Sequence, residues 1–102
     1  MSEKWFILFF DASMRTKSDR KAYVKFVKYL KSVGYTAMQK SVYVHYTDKS
    51  GDFDAEQMRM QKNTPDSVKV RLMLLPIKYF DSMLSINCER GDFSLRKNIF
   101  CC

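Results

Sequence analysis

Asp11 is the carboxylate of this 102-residue chain whose position most suggests chemistry. It follows Trp5-Phe6-Ile7-Leu8-Phe9-Phe10, an unbroken aromatic and branched run of the kind that forms a central strand covered on both faces. A carboxylate there projects from the end of a strand toward a loop. Magnesium prefers oxygen ligands and commonly uses one or two protein carboxylates with waters and substrate phosphate. One carboxylate is therefore a poor metal site, whereas two copies of Asp11 apposed across a two-fold axis could make one. A strand-end carboxylate bonded to loop amides fits the same position equally well.

The second group is cationic. Lys21, Lys25 and Lys28 recur at steps of four and three, which places them on one side of a helix, and Arg15, Lys17 and Arg20 add charge at its start. Such a stripe can follow a phosphate backbone. It can also be a solvated helix face, and taken alone that is the better reading. The balance shifts because Asp48 is the one acidic residue between Arg20 and Lys49, a bias that i,i+4 pairing does not explain. Over the whole chain, eighteen Lys and Arg against eleven Asp and Glu leave a formal charge of +7. That charge points to a polyanion such as nucleic acid, although solubility or an acidic protein partner would also account for it.

Other reactive side chains offer less. His45 is the one histidine, lies in a strand-like segment and has no ligand or nucleophile at useful spacing, so it reads as structural. Cys88, Cys101 and Cys102 are odd in number and lack metal-ligand spacing, which fits free thiols in a reducing cytoplasm. The run from Trp5 to Phe10 is far too short to span a membrane and has no cleavage site, so a soluble cytoplasmic protein is expected.

The elements that must position these groups follow from periodicity. Thr16-Lys17-Ser18-Asp19 matches a capping box and predicts a helix from near Lys17. Tyr23, Phe26, Val27, Leu30 and Val33 supply its apolar row, and Gly34 stands where a left-handed cap would end it. Tyr35–Gln39 and Ser41–Tyr46 read as a bent hairpin. The segment from Thr47 to Asp52 reads as a turn, with Asp52 available as a cap. Phe53 to Lys62 predicts a second helix with Ala55 and Met58 inward, stopped by Asn63-Thr64-Pro65-Asp66. Val68–Leu75 predicts another interior strand closed by Pro76. A turn over Ile77–Phe80 and a small edge strand around Met83–Asn87 complete the expectation.

Strand, helix, strand, strand, helix, strand is the order of the ferredoxin-like βαββαβ sandwich, an α+β fold with two helices on one face of an antiparallel sheet. One domain over residues 1–91 and a loose tail over 92–102 fit the length and composition. The fold hosts many activities, so it names none. Tyr23, Phe26, Tyr43 and Tyr46 fall where a core needs them, and the glycine-and-aromatic signature of RNA-recognition modules is missing from Val68–Leu75, which makes a sequence-specific RNA reader a minor alternative.

Three segments together resemble one family: the strand ending Phe9-Phe10-Asp11, the helix Ser18-Asp19-Arg20-Lys21-Ala22-Tyr23-Val24-Lys25-Phe26-Val27-Lys28-Tyr29-Leu30, and Gly34-Tyr35-Thr36-Ala37-Met38-Gln39-Lys40-Ser41-Val42-Tyr43-Val44. They are similar to CRISPR-associated protein two, in the branch found with type II systems, and the likeness extends to about Arg90. The resemblance implies a homodimer that binds double-stranded prespacer DNA and bridges two flanking dimers of the CRISPR integrase during spacer acquisition. It also implies a possible magnesium-dependent endonuclease, acting on RNA or DNA, with Asp11 as metal ligand and catalytic residue. By the same likeness Arg15, Lys17, Arg20, Lys21, Lys25 and Lys28 are the candidates for phosphate contact. A free-standing, toxin-like ribonuclease of the same fold is a third reading.

Overall fold

Residues 3–47 and 53–87 are described by the structure, a computed structural model. In chain order the elements are β1 (Lys4–Ala12), α1 (Lys17–Ser32), β2 (Thr36–Gln39), β3 (Val42–Thr47), α2 (Phe53–Asn63), β4 (Val68–Pro76) and α3 (Ile77–Asp81). The four strands form one sheet in the order β2-β3-β1-β4, with every neighbouring pair antiparallel. This is the ferredoxin-like arrangement expected from the element order.

The unbroken apolar run of β1 is explained by its central place, since both faces are covered from Trp5 to Leu8, although Phe9 stays exposed. Phe6, Leu8 and Phe10 pack with Phe26 and Leu30 of α1 and Met60 of α2 on one face. Trp5 and Ile7 pack with Val44 and Phe80 on the other, where Phe80 of α3 stacks on Trp5 at 4.3 Å. Leu8, Phe26 and Leu30 are essentially sealed from water, and each contributes about 1.5–3 kcal/mol by burial. The Trp5 indole Nε1–H is buried without an acceptor among the described residues.

The predicted ends of α1 are observed. Thr16 is the N-cap, its hydroxyl accepting from the Asp19 amide at 3.0 Å. The Asp19 carboxylate accepts from the Ser13 hydroxyl at 2.7 Å. At the other end Gly34 adopts φ +103°. Its amide donates to the Lys31 carbonyl at 3.2 Å and the Tyr35 amide to the Leu30 carbonyl at 2.9 Å, the two bonds of a Schellman ending. A Cβ at Gly34 would lie 2.7 Å from the His45 ring, so glycine is required here by conformation and by space. Val33 departs from the expected inward row: it is the C-cap, and at the last turn it points to solvent.

Two further expectations are corrected. In α2 the buried residues are Glu56 and Met60, while Met58 is 67% exposed. The helix can turn Glu56 inward because the Tyr35 hydroxyl donates to its Oε2 at 2.8 Å and Arg59 Nη2 to its Oε1 at 2.7 Å. The edge strand around Met83–Asn87 is not formed. The chain leaves α3 through a turn in which the Ser82 and Met83 amides bond the Tyr79 and Phe80 carbonyls, and then runs irregularly with Leu84 and Ile86 exposed. The hairpin is bent as expected, with a register shift between Ala37 and Gln39 and Ser41 at φ 65°. The proposed Asp52 cap, Cys88, Cys101, Cys102 and the tail over 92–102 lie outside the described residues. No helix among the described residues is long and apolar enough to cross a membrane.

Candidate nucleic-acid interface

The outer side of α1 carries the cations. Because Phe26 and Leu30 hold the opposite side against the sheet, helical spacing turns Lys17, Arg20, Lys21, Lys25 and Lys28 outward, where they surround Val24 in one shallow hollow. From Lys17 to Lys28 the row runs roughly 16 Å along the helix axis at 1.5 Å per residue, comparable to about five phosphates of one DNA strand at 3.4 Å each. Arg15 lies just before the helix and is exposed.

What makes this row a phosphate candidate is its lack of internal counter-charge. Asp19 is the acidic residue of α1. Its carboxyl is turned back toward the loop, and the Ser13 hydroxyl, followed by donors from Thr16 and Arg15, holds it below its ordinary value of 3.8. The one side-chain bond from Arg20 to the described residues is to the Met14 carbonyl at 3.2 Å. None of Lys17, Lys21, Lys25 and Lys28 is drawn into an ion pair with the described residues.

Asp11 is elsewhere. Residues opposed across an antiparallel ladder share a sheet face, and the register pairs Trp5, Ile7, Phe9 and Asp11 with Leu75, Met73, Arg71 and Lys69. These side chains occupy the face turned away from α1 and α2. Asp11 is exposed at its end, next to Lys69, and its carboxylate makes no hydrogen bond to the described residues. The structure thus gathers five of the six predicted cations on α1 and places the predicted metal ligand on the opposite side of the protomer. Lys69 and Arg71, which flank Asp11 and Phe9, were not singled out from the sequence; the alternation of Val68–Leu75 was the signal that placed them on one face.

One protomer alone is a poor magnesium site. Among the described residues no three or more His, Cys, Asp or Glu side chains come together, and the cross-strand neighbour of Asp11 is a cation. The buried Glu56 is already taken by Tyr35 and Arg59. Burial, and then the Glu56 carboxylate, push the Tyr35 phenol well above its ordinary value, so it remains a donor. His45 is structural, as expected. Its Nδ1 meets the Gly34 carbonyl at 3.0 Å and its ring lies against Tyr35 and Phe6.

The chain is similar to known proteins in sequence and in fold. The family model described as CRISPR associated protein Cas2 matches residues 4–83, from the start of β1 past α3. A protein of Streptococcus mutans serotype c (strain NN2025) named CRISPR-associated endoribonuclease Cas2 is 36% identical over 84 residues, covering 82% of this chain and 78% of its own. One of the same name from Acidovorax ebreus (strain TPSY) is 32% identical over 77 residues, covering 76% of each chain. The crystal structure of Streptococcus pyogenes Cas2 superposes with a TM-score of 0.60 over 81% of this chain and 99% of that one; at 17% identity it is a likeness of fold. With the model match running through every described strand and helix, the chain belongs to the CRISPR-associated Cas2 family.

Proposed function

We propose that the chain is a homodimeric scaffold of spacer acquisition, which binds double-stranded prespacer DNA through α1 and bridges two dimers of the CRISPR integrase. The observation that carries this reading is the outward row Lys17, Arg20, Lys21, Lys25 and Lys28, whose one acidic neighbour on the helix is engaged by its own loop. Phosphate contacts of this kind are indifferent to base sequence and steeply weakened by salt. The partly uncovered sheet face, where Phe9 and Met73 remain exposed, is where a second copy would pack.

Gel filtration with light scattering tests the assembly. The protein mixed with its candidate integrase should form a complex that gains mass and tightens when a short duplex is added. No association at low salt would overturn the scaffold.

A second reading is supported by the relatives' printed name, endoribonuclease, and by the exposed, unbonded Asp11. In this reading two copies of Asp11 across a dimer axis hold a magnesium ion, which would supply Lewis-acid activation for phosphodiester hydrolysis. Cleavage of RNA or DNA that requires a divalent ion, requires the dimer and vanishes in Asp11→Ala would support it.

A further inference from the structure

A second hollow, of about 450 Å³, runs between the two long helices, with Ala22, Lys25 and Tyr29 on one wall and Lys62, Asn63 and Thr64 on the other. Lys25 also lines the hollow of the α1 row, so the two border the same side chain. No carboxylate lines the cleft. The groove on the other side of α2, beside β4, has the opposite character, with Asp66 and no cation.

The chemistry of the α2 end leaves Lys62 uncommitted. A lysine in the last turn of a helix is commonly drawn to the unpaired carbonyls there. Here Asn63 Nδ2 donates to the Arg59 carbonyl at 2.8 Å and Thr64 Oγ1 to the Met60 carbonyl at 2.6 Å, so those two acceptors are already satisfied. Glu56, the buried acid of α2, is occupied by Tyr35 and Arg59. Lys62 makes no ion pair with the described residues, and the half-buried Tyr29 hydroxyl has no hydrogen-bond partner among them. The cleft is therefore lined by two lysines and a tyrosine, each with a group able to donate, and nothing anionic is among its lining residues.

We propose that this cleft is a second phosphate seat, in which Lys62 and the Tyr29 hydroxyl hold the duplex backbone that the α1 lysines follow, with Lys25 shared by both; it rests on the reading of the protein as a duplex binder. The test is the affinity of the full chain for a labelled duplex of fixed length, measured over a series of salt concentrations. Lys62→Ala should reduce the slope of log affinity against log salt by about 0.9 and weaken binding roughly fivefold near physiological salt, one phosphate contact's worth. Tyr29→Phe removes a donor but no charge, so it should weaken binding about two- to fivefold with the slope unchanged. Lys62→Gln, which keeps the side-chain stem, replaces Lys62→Ala should circular dichroism show that variant unfolded. If the Lys62 variants keep the wild-type affinity and slope while Lys25→Ala loses both, the seat is overturned and duplex binding stands. If the wild-type chain itself shows no salt-dependent duplex binding, the duplex reading falls and takes the seat with it.

Discussion

The helical side of the sheet has the thicker cover, and the outer surface of α1 presents a lysine row around the exposed Val24. On the other side apolar residues themselves meet water, with Phe9 41% and Met73 44% exposed. The difference begins in how much covers each face. Beneath α1 and α2, nine buried residues form one cluster, whereas the far face has four, covered by the five-residue α3. The lysine row thus lies on the side with the thicker cover, while the thinly covered face leaves Phe9 and Met73 open beside Asp11, Lys69 and Arg71, on the opposite side of a thin molecule, 19 Å along its shortest axis. A protein arranged this way can hold a polyanion on one side and a protein on the other without either competing for the same side chains.

The largest effect expected from breaking this division is at Phe9. A carboxylate placed in an apolar contact is left without a partner, so Phe9→Glu should weaken self-association by at least ~100-fold, seen by light scattering as a shift from dimer to monomer. A Phe9→Glu protein that remains dimeric would move the proposed contact off this face.

Removing charge from the other side should act on binding alone. The triple variant Lys21→Ala, Lys25→Ala and Lys28→Ala should lose roughly 100-fold in duplex affinity near physiological salt, with a salt slope shallower by about 2.7. Its oligomeric state should not change. Loss of the dimer in this variant would show the two surfaces to be coupled.

A smaller effect, directed at neither surface, is expected at Gly34. Gly34→Ala forces a side chain into a positive-φ position and against the His45 ring, which should cost about 1–3 kcal/mol of stability in denaturant unfolding. The salt slope of the folded variant should be that of the wild type. The smallest effect is expected at Asp11: Asp11→Ala lies across the sheet from the lysine row and should leave duplex affinity and spacer acquisition intact. If it abolished acquisition while the dimer and its integrase complex stayed folded, a pure scaffold would be ruled out.

Much of this division was legible in the sequence because it rests on periodicity. The lysine row, the Thr16 cap, the Gly34 ending and the two-faced β1 run all follow from local spacing, and the structure places each of them as read. The inward face of α2 was not legible. An apolar pattern selects Ala55 and Met58, but the helix instead buries Glu56, and that choice depends on a tyrosine 21 residues away in the chain. Hydropathy carries no record of such a partner. The strand expected at Met83–Asn87 was misread for a related reason. Its residues suit a sheet edge, yet a strand needs a ladder partner, and the described residues provide none to that segment. For the candidate site, spacing sufficed to group the α1 cations. Their separation from Asp11 required the register of β1 against β4. The Lys62 side of the interhelical cleft required tertiary packing, since nothing in the sequence brings Lys62 beside Lys25.

The stacking of Trp5 on Phe80 gives the far face an optical signature of its own. Trp5 is the single tryptophan of the chain, 3% exposed and lying against the ring of α3 and close to Tyr46. Its emission therefore comes from the side of the sheet that bears Phe9 and Met73, with the whole sheet between it and the α1 lysines. Intrinsic fluorescence should respond when α3 lifts or a second protein settles on that face, and should stay nearly constant as a duplex titrates the lysines, so a single cuvette can tell which side of the molecule is occupied.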